Sequence, residues 1–204
     1  MDKLRYSCYT IRRESAFSRQ QRSPVTALTA TTLLILSDSH GHPDRITEAI
    51  RRVRPDGILF AGDGLRDFSY CDLPCPLWAV RGNCDWMRSP LIIGGASFQP
   101  SEEEIVTVEG VRILLTHGHT QGVKGGLGGI ITHGIRNQAD VVIFGHTHIP
   151  VEHRLAPDHE GSSGSFTVSK PLTLFNPGSI GDYTPSFGTL TIRGGQMLFG
   201  HGEL

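Results

Sequence analysis

Five short clusters in the 204-residue chain carry the side chains suited to chemistry: Asp38-x-His40, Gly62-Asp63, Gly82-Asn83, His117-Gly118-His119 and Gly145-His146-Thr147-His148. Carboxylate, amide and imidazole groups are the oxygen and nitrogen donors that bind divalent metals. Each cluster borders on Gly, or on Ser in the first, which lets the backbone turn sharply and approach closely. In extended chain, residues i and i+2 project to the same side, so Asp38 with His40, and His146 with His148, can each serve one site. Singly, every cluster has an ordinary explanation: a cap, a turn or a surface loop. Jointly they do not, because crowding so many carboxylates and imidazoles is costly unless a cation satisfies them.

Hydrophobic patterning says what positions these groups. Residues 33–36 form an apolar run that reads as a buried strand. Pro43 then suits a first helical turn, and Ile46, Ala49, Ile50 and Val53 recur at helical spacing. Further strands are expected at 57–60, 77–80, 104–108, 111–115 and 140–144, with a Gly-rich helical stretch over 122–138. The C-terminal third alternates strands and turns, with strands at 150–155, 171–175, 187–192 and 196–200 and an exposed hairpin loop over 157–169. Strands and helices in this order predict a layered α/β fold, two packed sheets with helices outside. The polar clusters all follow strands, at the carboxyl edge where sites assemble in α/β sheets. Residues 1–31 show neither period and are expected to form a disordered extension before a single domain spanning 32–204.

The ordered set D-x-H, G-D, G-N, H-G-H, G-H-T-H resembles the calcineurin-like metallophosphoesterases, and within them the small bacterial and archaeal YfcE-like phosphodiesterase branch. Supporting segments are Gly82-Asn83-Cys84-Asp85, Gly122-Val123-Lys124, Ala139-Asp140-Val141-Val142 and Asn176-Pro177-Gly178-Ser179. The resemblance implies a four-layer αββα sandwich, two packed mixed β-sheets flanked by helices, with a two-metal site. It implies Asp38, His40 and His148 as ligands of the first metal, Asn83, His117 and His146 as ligands of the second, and Asp63 as the bridge. Two such cations lie about 3.5–4 Å apart and need a shared anion. The implied reaction is hydrolysis of a small phosphodiester by a metal-bridging hydroxide, with Asp63 and Asn83 in the catalytic set, Asn83 also at the substrate, and His119 contacting the substrate phosphate. Mn2+ is the favoured ion, with Zn2+, Ni2+, Fe2+, Co2+ and Mg2+ as alternatives, and a dimer or tetramer is the expected assembly if the chain self-associates.

The alternatives are a phosphomonoesterase on the same site and a non-catalytic metal-binding or scaffold protein of the same fold. Two positions depart from the family pattern. Cys84 stands where relatives with broader phosphatase activity carry His, and it reads as a core thiol and a poor acid. No Arg follows Asn176-Pro177-Gly178-Ser179 closely. Specificity is expected to lie in residues 64–76, 86–100 and 180–187. Trp78 reads as core in its strand, and Trp86 is a candidate for lining the substrate pocket. His133 reads as a surface or capping side chain, Glu102 to Glu104 as a solvated turn, and Gly125 to Gly129 as a helix start near the metal site. Cys71 and Cys75 have no zinc spacing.

Composition bounds the rest. The formal net charge is −1, against a broadly basic nucleic-acid-binding surface, although residues 1–24 are themselves basic. No run approaches the roughly 20 apolar residues of a membrane-spanning helix. Four cysteines without a CxxC pair point to reduced thiols and a cytoplasmic setting.

Overall fold

The computed structural model describes residues 29–86, 90–161 and 165–204. The expected extension over 1–31 therefore falls outside the described residues up to 28, and at its other end it is corrected: Thr31 already belongs to β1 (Thr31–Leu36). From there the order is α1 (Pro43–Val53), β2 (Gly57–Phe60), a 3-10 turn (Leu65–Tyr70), β3 (Leu77–Ala79), β4 (Leu91–Ile93), β5 (Ala96–Phe98), β6 (Glu103–Val108) and β7 (Val111–Thr116). A second 3-10 turn (Val123–Gly125), α2 (Gly128–Arg136), β8 (Val141–Ile143), β9 (Val151–Leu155), β10 (Leu172–Asn176), β11 (Ser186–Arg193) and β12 (Gln196–Glu203) complete the chain.

Two five-stranded mixed sheets result, ordered β12-β11-β1-β2-β3 and β6-β7-β8-β10-β9. Strand alternation builds the layers. Leu33 and Ile35 of β1 face the core between the sheets, while Leu34 and Leu36 face the opposite way, onto Ile46, Ala49 and Ile50 of α1. Ile113 and Leu115 of β7, Val141 and Ile143 of β8 and Phe175 of β10 meet the first sheet across that core. Leu114, Val142 and Leu174 turn outward onto Ile130 and Ile131 of α2. Burial on both faces is why β1, β7 and β8 read as continuous apolar runs. The four-layer αββα arrangement is thus present.

Parallel pairing sets the polarity. β1, β2 and β3 run parallel, as do β7, β8 and β10. Their carboxyl ends meet at one edge, where Gly145 N–H donates to the His117 carbonyl and Ala61 follows β2 directly.

Three other expectations change. Residues 91–98, read within a loop, form the β4–β5 hairpin, and the Gly94-Gly95 turn between apolar runs was its signal. Glu103, expected in a solvated turn, pairs with Thr116, so β6 begins one residue before the expected strand. The 157–169 loop is not wholly exposed, since Val168 is buried against the outer core of the second sheet; residues 162–164 lie outside the described residues.

Candidate metal centre

The loops that carry the five clusters are bent in a way L-residues rarely adopt. Asp38, His40, Asp63, His146 and His148 all have positive φ, between 43° and 66°. Such backbone persists only where surroundings impose it, and it gathers at functional sites. The surroundings are visible. Asp85 accepts hydrogen bonds from the N–H groups of Asp63 (2.8 Å), Gly64 (2.9 Å), Leu65 (3.0 Å) and Gly82 (2.8 Å), clamping two loops together. Asp67 is buried and accepts from Ser39 Oγ (2.7 Å) and Gly41 N–H (2.9 Å). Asn176 donates to the Gly145 carbonyl (2.9 Å), and Ser179 Oγ donates to the Asp38 carbonyl (2.9 Å). A Cβ on Gly82 would overlap the Asp63 carboxylate, so the position admits Gly alone.

Within this frame, Asp38 is wholly buried. Its Oδ2 accepts from Ser37 Oγ (2.5 Å) and from His146 N–H (3.0 Å), while its Oδ1 has no hydrogen-bond partner. The Nε2 atoms of His148 and His40 lie 3.3 and 3.8 Å from that orphaned oxygen. On the other side, His117 is fully buried and its Nδ1 lies 2.7 Å from the Ala61 carbonyl. A carbonyl only accepts, so Nδ1 carries the proton and Nε2 offers a lone pair. Around that Nε2 stand Asn83 Oδ1 at 3.1 Å, His146 Nδ1 at 3.2 Å and Asp63 Oδ2 at 3.3 Å. One proton cannot satisfy all of these atoms; a cation among them can.

The donor atoms form three overlapping groups: Asp38, His40 and His148; His40, Asp63 and Cys84; and Asp63, His117 and His146, each set lying within 4.8 Å of one another. The orphaned Asp38 oxygen and this nitrogen–oxygen donor set fit a divalent metal. All seven side chains expected as ligands come together, Asn83 through its contact with His117.

Electrostatics prepare these groups. Burial pushes the Asp63 carboxyl up, but hydrogen bonds from His117 and the Cys84 N–H outweigh it and hold the group well below the usual range. The Asp38 carboxylate facing its Nε2 raises His148 to about 9, aided by Asp182 and opposed by burial. Burial lowers His117, but Asp63 and Asp38 outweigh it and raise it overall. His146 is lowered by burial and by the charges of His117 and Lys124. His119 sits beside the His117, His146 and Asp63 group, its ring 5.3 Å from that of His117. Its buried Nδ1 is unpartnered, and burial lowers its pKa.

Cys84 requires a correction. It is exposed rather than a core thiol, its N–H donates to Asp63 Oδ1 (2.7 Å), and desolvation with Asp63 pushes its pKa up to about 11. Trp78 packs half-buried against the inter-sheet core, and His133 pairs with Glu103 on the surface. Asp182 carries no signal in the sequence: its carboxylate lies 2.8 and 3.0 Å from His148 Nδ1, in the segment that follows Asn176-Pro177-Gly178-Ser179. Asp67 and Asp85 were likewise missed as organisers, although Asp85 follows Gly82-Asn83-Cys84 immediately.

The model of the calcineurin-like phosphoesterase superfamily domain matches residues 32–195. The chain belongs to this superfamily. The family is metal-dependent, consistent with the donor groups. Among relatives, the probable metallophosphoesterase YsnB of Bacillus subtilis is 31% identical over 150 residues, 72% of this chain and 74% of its own. The phosphodiesterase YfcE of Escherichia coli K12 is 34% identical over 103 residues, half of each chain. A structurally characterised archaeal phosphodiesterase superposes with a TM-score of 0.60 at 23% identity, covering 85% of this chain and 99% of that one. Vps29 of Entamoeba histolytica, solved with zinc, superposes with a TM-score of 0.57 at 18% identity over 84% of this chain and 98% of its own. At these identities the two structures show the shared fold. No helix among the described residues is long and apolar enough to cross a membrane.

Proposed function

We propose that this metallophosphoesterase-family chain is a phosphodiesterase that hydrolyses a small phosphodiester with two divalent cations. Asp38, His40 and His148 would hold one, Asn83, His117 and His146 the other, with Asp63 shared. The observation that carries this reading is the double membership of Asp63, which groups with His40 and Cys84 on one side and with His117 and His146 on the other. When bound, such cations stabilise charge on the phosphoryl oxygens and acidify the attacking water.

The chain's own residues do the rest. Asp63 brings a negative charge that stays ionised across the working pH range. His117, His146 and Asn83 orient donors toward one point. His119 stands beside them, its ring 5.3 Å from that of His117, as the side chain assigned to the substrate phosphate. The neutral thiol of Cys84 is a poor proton donor, so good leaving groups are favoured. Diester over monoester is supported by the relative YfcE, which is named a phosphodiesterase. The nitrogen and oxygen donors of these seven side chains suit Mn2+, with Zn2+, Fe2+, Co2+, Ni2+ and Mg2+ to be compared.

The test is hydrolysis of bis-p-nitrophenyl phosphate beside p-nitrophenyl phosphate, with metal-stripped protein titrated with each ion. Metal-dependent diester cleavage that is lost in Asp63→Asn is the expected result. Preferential monoester cleavage would make the protein a phosphomonoesterase. Two bound ions without turnover would leave a metal-binding scaffold.

A further inference from the structure

Beside the metal centre lies a cleft of about 360 Å³, lined by His40, Arg66, Cys84, Trp86 and Leu91 with the Gly41 and Gly64 backbones and the carboxylates of Asp67 and Asp85. Its inner wall belongs to the site, since His40 and Cys84 group with Asp63. Its outer wall is Trp86, whose side chain is 88% exposed. A single exposed apolar side chain is ordinary on a protein surface. Trp86 differs in being tied to the site: its N–H donates to the Cys84 carbonyl (3.1 Å), on the turn that Asp85 clamps to the Asp63 loop. The indole root is therefore fixed two residues from Cys84, while the ring has no aromatic partner among the described residues.

The charges of the cleft are unevenly committed. Asp67 is occupied by Ser39 and Gly41, and Asp85 by four backbone N–H groups. Arg66, exposed at the same cleft, has no hydrogen-bond or ion-pair partner among the described residues. A free guanidinium and an open indole face beside a phosphoryl site match a ligand with a planar ring and hydrogen-bond acceptors. Guanidinium groups pair with such acceptors, and indole faces stack on heteroaromatic rings.

We infer that one ester arm of the substrate is a nucleoside, its base stacked on Trp86 and an acceptor of that arm held by Arg66, while the phosphodiester lies at the metal centre. This inference rests on the phosphodiesterase reading of the site and names the substrate class within it. One base–aromatic stack is lost with the indole, which is expected to lower selectivity by about tenfold.

Two readouts test it. The first is the ratio of kcat/KM for the methyl ester of adenosine 5′-monophosphate over that for glycerophosphoethanolamine, a ringless diester, measured by product chromatography. Trp86→Ala is expected to lower this ratio about tenfold, Trp86→Phe to restore most of it, and Arg66→Ala to lower it several-fold. The second is the quenching of tryptophan fluorescence by adenosine 5′-monophosphate in the metal-loaded protein, expected to saturate in the wild type and to vanish in Trp86→Ala, where Trp78 remains as an internal reference. Equal losses on both substrates, an unchanged ratio, or quenching that survives Trp86→Ala would overturn the inference. If no metal supports cleavage of any diester, the phosphodiesterase reading fails, and the quenching titration still decides the nucleoside cleft by itself.

Discussion

The imidazole of His148 stands between two carboxylates, Asp38 at its Nε2 and Asp182 at its Nδ1. Asp182 orients the ring and holds the proton on Nδ1, which points Nε2 at the orphaned Asp38 oxygen. Carboxylates in this position typically tune metal affinity by about 10–100-fold. Asp182→Asn is therefore expected to weaken binding of one equivalent of Mn2+ or Zn2+ by about tenfold or more with the fold intact, read by chelator competition alongside circular dichroism. The same geometry sets a pH dependence. In the cation-free protein His148 titrates at about 9, above its ordinary value. Its stabilising contribution is complete below the unfolded pKa of about 6.5 and is lost as pH rises through about 9. A cation must displace that proton, so apparent affinity is expected to fall about tenfold per pH unit below pH 9. Chelator competition at pH 7, 8 and 9 checks the slope, and a flat profile would exclude His148 as a ligand. Of this local chemistry, the ligand types were legible in the sequence because Asp, His and Asn beside Gly are unusual in repetition. Asp182 was not, because it lies 34 residues beyond His148 in an unremarkable turn.

At the level of elements, the site is a set of strand ends held by loop-to-loop hydrogen bonds. Asp85 is the clearest case, one carboxylate accepting four N–H groups from the Asp63 and Gly82 loops. Hydrogen bonds to a charged acceptor contribute about 1.5–3 kcal/mol each, less where water can replace them. Asp85→Ala is expected to destabilise the protein by about 2–4 kcal/mol in urea unfolding. It should also lower metal stoichiometry, because the Asp63 loop loses its hold. Loss of stability with full metal occupancy would show that the clamp serves the fold alone. The main strands and α1 were readable because both faces of β1, β7 and β8 are buried and α1 repeats apolar residues at helical spacing. The β4–β5 hairpin was overlooked because its strands are short, and the extent of β6 because charged residues occupy its edge.

Across the whole molecule, the two sheets meet through a core in which Phe175 is fully buried, its ring 5.0 Å from Phe199 and 4.5 Å from His201. Phe175→Ala would leave a cavity between the sheets and is expected to cost about 3–5 kcal/mol. The loss should appear in thermal unfolding, and metal binding is expected to weaken as well, because Asn176, the next residue, ties Gly145 and Thr147 in place. A folded variant with unchanged metal affinity would separate the core from the site. The sequence by itself determined the layered α/β class and the five polar clusters, since apolar periodicity and the donor character of Asp, Asn and His beside Gly are local properties of residue type and spacing. Only the tertiary structure decided which donors share a point, that Asp63 belongs to two groups, that Cys84 is exposed, and that Trp86 and Arg66 line one cleft. Those facts depend on parallel strand ends from two sheets converging at one edge, and on carboxylates such as Asp85, Asp182 and Asp67 whose partners are distant in the chain.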